Sequence, residues 1–250
     1  MGRAKEIILK VIPAKTANEF VVRHHYSKKF VQNSQVHFGA FLDGKLHGVL
    51  QYGASMDKAK VSRAVIGTGW NEFIELNRMA FDDYLPKNSE SRCIAISIKL
   101  LKKYAPHVKW VVSFADATQC GDGAIYRASG FLLVGIKKNQ QILNWNGKLI
   151  AKKTLDNTNY PKINGKYYSR YLIENGDAVP LSGFQLKYIY LIDKNCKLEK
   201  PALDYSIIDR LNAGMYRGKN ISISQRREEH DGNASVFHAE EGGSIPTLPL

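Results

Sequence analysis

The sequence predicts a mixed α/β fold, and two observations carry that prediction. Segments with strand-like and helix-like apolar spacing follow one another in the order β-α-β-β-β-α-β-α-β over residues 6–138. Hydrophobic residues make up 44% of the 250-residue chain, which is enough for one packed core with an extension. The order places a meander of antiparallel strands before a strand–helix–strand unit, so we expect a central mixed sheet with helices on both faces.

The first elements are predicted from local signals. Residues 6–12 form an apolar run that is typical of a strand. The sequence Thr16-Ala17-Asn18-Glu19 matches a capping box, which predicts that a helix begins there. Residues 36–42 and 45–52 flank Asp43-Gly44, a two-residue signal for a β-hairpin.

The later elements follow the same logic. Residues 72–81 alternate enough to predict a strand, and residues 91–104 carry apolar side chains at helical spacing. Residues 109–116 predict a strand rich in Val and Phe. A short helix over residues 122–129, closed by a glycine, precedes a strand over residues 131–138. This order of elements is similar to the GNAT acyltransferase fold.

Residues 141–227 differ in composition and are predicted to form an extension rich in β-hairpins. Asn146-Gly147 and Asn164-Gly165 are two further hairpin signals. Tyrosines alternate here with basic residues, and because cations bind phosphates while rings stack on bases, we expect the extension to contact nucleic acid. Half-buried strand tyrosines with solvated lysines between them are the alternative. The residues concerned are Tyr160, Tyr167, Tyr168, Tyr171, Tyr188, Tyr190, Lys162, Lys166, Arg170 and Lys187.

The charge of the chain indicates a polyanionic partner. Lys and Arg number 36 against 23 acidic residues, a formal net charge of +13. Residues 228–250 contain five acidic residues and no Lys or Arg, so residues 1–227 carry +18. Nucleic acid is the commonest partner of such a basic body. The acidic segment is predicted to be a flexible tail, with competition for the basic face as the functional alternative.

The sequence excludes several other classes of protein. No apolar run approaches the roughly 20 residues of a membrane span, and residues 1–11 do not resemble a secretory signal. Cys93, Cys120 and Cys196 are widely spaced, which favours a reducing cytoplasm over a disulfide framework or a zinc knuckle. We therefore expect a cytoplasmic protein with no membrane partner.

Six short segments, taken together and in order, resemble the phage Mom family of DNA-modification proteins. Each segment alone is a weak signal, but their order over residues 20–135 is specific. The segments are Arg23-His24-His25-Tyr26-Ser27, Gly48-Val49-Leu50-Gln51-Tyr52-Gly53, Glu75-Leu76-Asn77-Arg78-Met79-Ala80-Phe81, Pro86-Lys87-Asn88-Ser89-Glu90-Ser91-Arg92, Val112-Ser113-Phe114-Ala115-Asp116 and Ile125-Tyr126-Arg127-Ala128-Ser129-Gly130-Phe131.

The resemblance implies a GNAT-like catalytic core over residues 1–140. It implies an enzyme that converts adenine in duplex DNA to N6-carbamoylmethyladenine and so shields phage DNA from restriction in the bacterial host cytoplasm. It further implies an acyl donor such as acetyl-coenzyme A, and an iron ion that helps to build the unusual group.

Residues 86–92 occupy the place where GNAT enzymes bind the coenzyme A pyrophosphate. The usual Gln/Arg-x-x-Gly-x-Gly/Ala loop is missing, because this segment contains no glycine. Backbone N–H groups at the helix start can still bind an anion, with side-chain charge in support. A plain N-cap is the alternative. The predicted donor-binding residues are Lys87, Asn88, Ser89, Ser91 and Arg92.

His24, His25 and Tyr26 lie at the end of the first predicted helix. Adjacent helical residues point about 100° apart, so both histidines would face one metal ion only beyond the helix end. Imidazole suits iron, and a tyrosine oxygen can complete a site. The family resemblance favours His25 and Tyr26 as catalytic and metal-binding residues over a surface or capping pair.

Asp116 ends a predicted central strand, at the edge where open α/β sheets place ligands. It can accept a proton from the adenine amino group or orient that group, with a helix cap as the alternative. The GNAT resemblance implies that Tyr126 protonates a leaving thiolate, whereas packing against Phe131 is the alternative. Ser113 and Glu75 are supporting candidates, and a buried salt bridge explains Glu75 equally well.

Chemistry on the amino group of a paired base requires base flipping, which costs a few kcal/mol. The protein then needs phosphate contacts to hold the strand and an aromatic side chain for the base. The predicted DNA-binding residues are Lys28, Lys29, Lys162, Lys166 and Arg170, and the candidate rings are Tyr26, Tyr52, Trp70 and Phe114.

Two other functions account for parts of the sequence. An ordinary GNAT N-acetyltransferase acting on a small amine or a protein would share the fold, but the missing glycine loop counts against it. A non-catalytic DNA-binding protein on the same fold would show salt-sensitive binding that does not depend on the candidate catalytic residues.

Overall fold

A seven-stranded mixed sheet forms the centre of the structure, a computed structural model that describes residues 3–157 and 159–226. Neighbouring strands run antiparallel except β5 and β6, which are parallel. Numbered along the chain and given in spatial order, the strands are β1 (Ile8–Val11), β2 (Ser34–Leu42), β3 (Lys45–Gly53), β5 (Phe73–Phe81), β6 (Trp110–Ala117), β11 (Phe184–Leu191) and β7 (Leu132–Lys138).

Helices cover both faces of this sheet. On one face, termed the α1 face, lie α1 (Ala14–His24) and α2 (Lys58–Val61); on the other, termed the α3 face, lie α3 (Ser89–Tyr104) and α4 (Ala124–Ala128). Two adjacent residues of β3 show that successive side chains pack on opposite faces of the sheet. Val49 packs with Phe20 of α1, whereas Leu50 belongs to the cluster that contains Ile94 of α3. The predicted α/β class, a mixed sheet with helices on both faces, is confirmed.

Helix α1 begins earlier than the capping box predicts. Its N-cap is Pro13, and no side chain caps the helix. Proline suits the start of a helix because its φ is already near the helical value and its missing N–H would be unpaired there in any case. The buried residues Ala17 and Val21 then turn one side of α1 toward the sheet.

Strands β5 and β6 pair over three residues and then separate. The parallel register runs from Phe73 opposite Trp110 to Glu75 opposite Val112, although both strands continue for several residues. Ligands in open α/β sheets bind outside the carboxyl ends of parallel strands. The separation therefore opens the sheet at the edge where a ligand is expected.

A β-bulge in β5 lies beside this gap. Gln51 of β3 pairs with Arg78, and the next pair skips Asn77, which is an additional residue in β5. Bulges are common near active sites because they redirect a side chain. Gln51 points to the α1 face, where its side-chain amide donates to the side-chain oxygen Oδ1 of Asn18 at 2.7 Å, and Arg78 opposite it shares that face.

The structure differs from the predicted boundary at residue 140. Strand β11 lies beyond that position, yet it occupies the place between β6 and β7 in the central sheet. Its Leu186 and Tyr188 are fully buried in the core of the α3 face. The central sheet therefore includes residues from both sides of the predicted boundary, because removing a central strand would open the core.

Residues 139–183 form an insertion between β7 and β11. Its β8–β9 turn is the predicted Asn146-Gly147 hairpin, with φ values of 50° and 76° that suit these residue types. Two short helices were not predicted. The insertion has its own small core of Leu143, Leu155, Leu172 and Ala178. Its elements are β8 (Ile142–Trp145), β9 (Lys148–Ala151), α5 (Lys152–Leu155), α6 (Tyr168–Glu174) and β10 (Ala178–Pro180).

The remaining elements are small. Strands β4 (Val65–Ile66) and β12 (Lys197–Leu198) form a two-stranded sheet, and α7 (Ser206–Arg210) places Ile208 in the core of the α3 face. Over residues 3–157 and 159–226, no helix combines the length and apolar character needed to cross a bilayer. The predicted acidic tail at residues 228–250 lies outside the described residues.

A buried carboxylate ties the end of the described chain to the core. The Asp122 side chain is fully buried; it accepts a hydrogen bond from Arg127 at 2.9 Å, from Arg226, and from the Met215 amide at 3.2 Å. Two guanidinium groups thus share one carboxylate. This network holds the segment around residue 215 against the loop that leads into α4.

We expect Asp122→Asn to lower the free energy of unfolding by about 3–5 kcal/mol, because it leaves two partly buried guanidinium groups without their counter-charge. Chemical denaturation measures this loss. Asp43→Asn is the matched control, since Asp43 forms an exposed ion pair with Arg3 at 2.6 Å and its removal should cost far less. Equal losses in the two variants would contradict the proposed importance of the network.

Candidate active site

Polar side chains gather where β5 and β6 separate. The turn after α1 supplies His25 and Tyr26, β6 supplies Ser113 and Asp116, and α4 supplies Tyr126. The structure thus brings into one region five residues that the sequence singled out. Their distribution is uneven: Asp116 and Tyr26 meet on the α1 face, whereas Ser113 and Tyr126 meet on the α3 face.

Asp116 is the most heavily hydrogen-bonded group of the site. Its carboxylate accepts the Tyr26 hydroxyl at 3.1 Å, the Gln185 amide at 2.8 Å and the Gln119 amide at 3.3 Å. The Thr118 amide and hydroxyl donate to it as well. A carboxylate has about four lone-pair sites, and these donors occupy them all. The geometry therefore favours Asp116 as a group that orients Tyr26.

His25 is nearly buried and carries no charge near neutral pH. The Ser27 amide donates to its Nδ1 at 3.1 Å, so the ring proton resides on Nε2. Burial, together with the positive charges of Arg78 and Lys28, lowers the pKa of His25 to about 3. The neutral imidazole packs against the Tyr26 ring in a tilted arrangement, with ring centroids 4.3 Å apart, and helps to fix the orientation of that phenol.

Tyr126 lies half-buried on α4 and faces Ser113. Burial raises the pKa of its hydroxyl to about 12, and a side-chain hydrogen bond with Ser113 opposes that rise. The Ser113 hydroxyl also donates to the Leu76 carbonyl at 3.2 Å, across the line where the strands begin to part. Tyr126 packs against Phe131 too, with ring centroids 5.4 Å apart, so its ring has a core role and its hydroxyl faces polar neighbours.

Glu75 and Arg78 of β5 complete the site. Burial raises the pKa of the Glu75 carboxyl above its usual range, and burial lowers the pKa of Arg78. The predicted alternative for Glu75 was a buried salt bridge, but no ion pair within 4.0 Å involves Glu75 in the described part of the chain. The Arg78 guanidinium instead donates to the Lys29 carbonyl at 3.1 Å and holds the turn after α1.

Sequence reasoning missed the residues that hold Asp116 in place. Gln185 follows Asp116 by 69 residues, and its amide reaches Asp116 because β11 pairs with β6. No local signal could have revealed this contact, since it depends on the insertion of β11 into the sheet. Cys120 was likewise not singled out as a site residue, although its exposed thiol lies in the loop that follows Asp116.

The predicted iron site does not fit the side chains as they stand. His25 Nδ1 is engaged by Ser27, and the Tyr26 hydroxyl is engaged by Asp116. Among residues 3–157 and 159–226, no group of three or more His, Cys, Asp or Glu side chains converges as metal ligands would. We therefore derive no chemical step through iron.

The predicted donor-binding segment lies at the start of α3. Ser89 Oγ donates to the Pro86 carbonyl at 2.5 Å and Ser91 Oγ donates to the Asn88 carbonyl at 3.2 Å, so both hydroxyls serve the local backbone. Arg92 donates to the Lys5 carbonyl at 3.0 Å, away from the helix start. Lys87 is exposed, and Asn88 is the N-cap with a φ of 67°.

The predicted DNA-binding residues fall into two groups. Lys28 and Lys29 are exposed beside the candidate active site. Lys166 and Arg170 of the insertion both pair with Glu174, at 2.6 and 2.9 Å, and that pairing offsets part of their charge. Lys162 lies 4.7 Å from the centroid of the Tyr167 ring, which is itself exposed.

The predicted base-binding rings differ in accessibility. Tyr52 is fully buried and its hydroxyl bonds to Ser97 at 2.6 Å, so it cannot receive a base. Trp70 is exposed beneath the Lys58 ammonium, which lies 5.0 Å from a ring centroid. Tyr26 and Phe114 are 44% and 41% exposed, and both lie on the α1 face beside Asp116.

Comparison with known proteins identifies the family of this chain. The model of the Mom protein family matches residues 6–207, most of the chain. The chain belongs to the Mom protein family. The match includes every predicted catalytic and donor-binding residue, and it extends through the insertion and β11.

Individual relatives are similar over different lengths. The methylcarbamoylase Mom of Escherichia phage Mu is 40% identical over 133 residues, which are 53% of this chain and 55% of that protein, so the match spans about half the length of this curated relative. Among solved structures, an IAA acetyltransferase from Bacillus cereus is 11% identical, with a TM-score of 0.42 over 74% of this chain and 99% of that chain. A GNAT family acetyltransferase from Elizabethkingia anophelis with acetyl-CoA bound is 13% identical, with a TM-score of 0.41 over 74% of this chain and 97% of that chain.

The buried neutral state of His25 predicts a specific pH dependence of stability. Above about pH 6.5 the imidazole is neutral in both the folded and the unfolded chain. Between about pH 6.5 and pH 3 the unfolded chain binds a proton that folded His25 does not, so stability falls as the pH falls, by up to about 1.4 kcal/mol per pH unit. Denaturation curves at several pH values measure this slope.

We expect His25→Asn to remove that contribution, so that stability varies less between pH 6 and pH 4. His107→Asn is the control, because His107 is exposed and its replacement should leave the slope unchanged. A slope that is the same in the wild-type protein and in His25→Asn would show that His25 is not buried in its neutral form.

Proposed function

We propose that this member of the Mom protein family modifies the N6 amino group of adenine in duplex DNA and forms N6-carbamoylmethyladenine. The observation that carries the proposal is the joint arrangement of Tyr26 with Asp116 and of Tyr126 with Ser113 at the gap between β5 and β6. The similarity to a methylcarbamoylase supports the nature of the group transferred. Protection of phage DNA from host restriction enzymes is the proposed purpose.

The reaction needs a nucleophilic nitrogen, an electrophilic carbon and a place for one proton. The adenine N6 forms a bond to a donor methylene carbon that bears a carboxamide, while the bond from that carbon to its leaving group breaks. The amine loses one proton and the leaving group takes one up, so atoms and charge balance. Because N6 is paired and stacked in the duplex, the base must first leave the helix.

The structure supports distinct roles for the acidic groups. Asp116 has its lone pairs filled by donors, so it fixes the Tyr26 phenol. Glu75 has a pKa raised by burial, and a carboxyl with a raised pKa is better matched to proton transfer near neutral pH. We assign Glu75 as the acceptor of the amine proton and Asp116 as a positioning residue.

Tyr126 is the proposed proton donor to the leaving group. Its hydroxyl stays protonated at neutral pH because burial raises its pKa to about 12. It lies on the α3 face, opposite to Tyr26 and Asp116. We propose that the base enters from the α1 face and that the donor lies on the α3 face, so that the two reactants meet in the gap.

An acyl-coenzyme A type of donor is the proposed cofactor class. The amides of Glu90 and Ser91 lack a partner among the described backbone groups at the start of α3, and such amides can bind a phosphate. The exposed Lys87 adds positive charge, while Glu90 in the first turn opposes it. If bound there, a donor of this class would have to carry, as its electrophile, a methylene bearing a carboxamide, because transfer of an acetyl group from its thioester would give an N6 amide and supply no carboxamide nitrogen.

Nucleoside analysis tests the proposal. DNA co-expressed with the protein is digested and examined by mass spectrometry for a deoxyadenosine heavier by a carbamoylmethyl group. We expect that nucleoside with the wild-type protein. Intact folded protein with only unmodified deoxyadenosine would contradict the proposal; DNA binding without modification would then favour a non-catalytic role, and acetylation of an amine panel would favour an ordinary acetyltransferase.

Matched substitutions test the assigned roles. Glu75→Gln and Tyr126→Phe should each lower the modified fraction by about 10²–10⁴-fold, because each removes a proton-transfer group at almost constant shape. Glu72→Gln is the control, since Glu72 lies just before the start of β5 and forms an ion pair with Lys109 at 2.7 Å. Full modification by Glu75→Gln would show that this carboxyl does not accept the proton.

A further inference from the structure

A group of lysines lies on the α1 face beside the candidate active site. Lys187 of β11 lies directly opposite Phe114 of β6. Lys137 of β7 lies opposite Gln185, which precedes Lys187 by two residues and so points to the same face. Burial lowers the pKa of Lys187, and the positive charges of Lys137 and Lys60 lower it further, so both of these ammonium groups repel Lys187.

These three lysines lack the counter-charge that other basic residues have. Within the part of the chain that the structure describes, none of them forms an ion pair within 4.0 Å. By contrast, Lys166 and Arg170 of the insertion share Glu174. Like charges held together without an acid destabilise the folded protein, and a bound polyanion would relieve that repulsion.

The aromatic ring at the centre of this surface is unusually open. Phe114 lies in a central strand, and its neighbour on the same face, Val112, is fully buried, yet Phe114 is 41% exposed. A phenyl ring on an open sheet surface offers a stacking platform to a nucleobase. Lys187, directly across the strand pair, places a positive charge beside that platform.

The surface continues directly into the site. Gln185 lies on β11 between the lysines and Asp116, and its amide donates to the Asp116 carboxylate at 2.8 Å. A nucleic-acid strand on this surface would thus run along β11 and β6 toward Tyr26 and Asp116. The positive charge of the lysines, the exposed Phe114 ring and the course of the surface toward Asp116 all favour a nucleic-acid strand as the ligand.

We propose that Lys60, Lys137 and Lys187 bind phosphates of the DNA strand, and that Phe114 stacks on a base of that strand next to the adenine. This phosphate-and-base surface rests on the proposed function, because it supplies the strand contacts that a base-flipping enzyme needs. The sequence predicted DNA contacts mainly in the insertion, whereas this proposal places the main contact on the α1 face of the central sheet.

Salt-dependent binding tests the surface. The probe is a fluorescein-labelled duplex of 20 base pairs, titrated by anisotropy over a range of salt concentrations. Each lost phosphate contact reduces the slope of log K against log salt concentration by about 0.9. We expect that reduction for each single Lys→Gln change and about 1.8 for the double variant Lys60→Gln/Lys137→Gln, which alters only exposed side chains and leaves the half-buried Lys187 in place.

Two further variants make the test specific. Lys99→Gln removes an exposed lysine of α3, on the other face, and should leave the slope unchanged. Phe114→Leu should keep the wild-type slope but bind a duplex with one unpaired adenine about tenfold more weakly, because base stacking is lost. A wild-type slope in the double variant, or a Lys99→Gln effect of the same size, would overturn the proposal.

The nucleoside assay on the same proteins separates this proposal from the proposed function. If the wild-type protein yields no modified deoxyadenosine, the proposed function fails, while the slopes still decide whether the surface binds DNA. If the wild-type protein modifies DNA and the lysine variants bind and modify it as well as the wild type, the surface is wrong and the function stands.

Discussion

The early separation of β5 from β6 determines the architecture of the site. Three residue pairs hold the strands together, and beyond Glu75 and Val112 neither strand pairs with the other. Unpaired edges inside a sheet are costly unless polar groups satisfy them. Here side chains take over, as when the Ser113 hydroxyl bonds to the Leu76 carbonyl across the opening. The site is polar because backbone groups left unpaired by the separation of β5 and β6 need hydrogen-bond partners.

Two aspartates near the opening illustrate two uses of a carboxylate. Asp122 is fully buried and neutralised by Arg127 and Arg226, so it stabilises the fold. Asp116 is only half-buried and is held by neutral donors, including Thr118 and the Tyr26 phenol, so it orients the side chains of the site.

Local chemistry made much of the fold predictable from the sequence. The Asp43-Gly44 and Asn146-Gly147 turns were found because their positive φ values favour those residue types. Apart from α2 and β4, the strands and helices up to residue 138 were predicted from apolar spacing and turn or cap signals, and Asp116 was found because it ends a central strand. Each of these signals depends on neighbours in the sequence.

Features that depend on distant residues could not be found in this way. The place of β11 between β6 and β7, and with it the contact from Gln185 to Asp116, has no local signature. The alternation of tyrosines with lysines predicted a binding extension, yet Tyr188 is a buried core residue. Aromatic residues with basic neighbours occur on strands and on surfaces alike, so only the tertiary structure distinguishes them.

The position of β11 affects the order in which the segments of the chain can fold during synthesis. β6 and β7 are close in sequence, but they are not neighbours in the sheet. The edge of β6 that faces β7 forms its backbone hydrogen bonds only once β11 is in place. The insertion brings the two ends of this interval together, since the Asn139 amide donates to the Gly183 carbonyl at 2.9 Å and the Asn139 side chain bonds to Leu181. During synthesis, the insertion can therefore fold first, and β11 can then pair with β6 and β7. Fragments that stop short of residue 185 lack the side-chain amide that donates to Asp116, so an unfinished chain would carry an incomplete site.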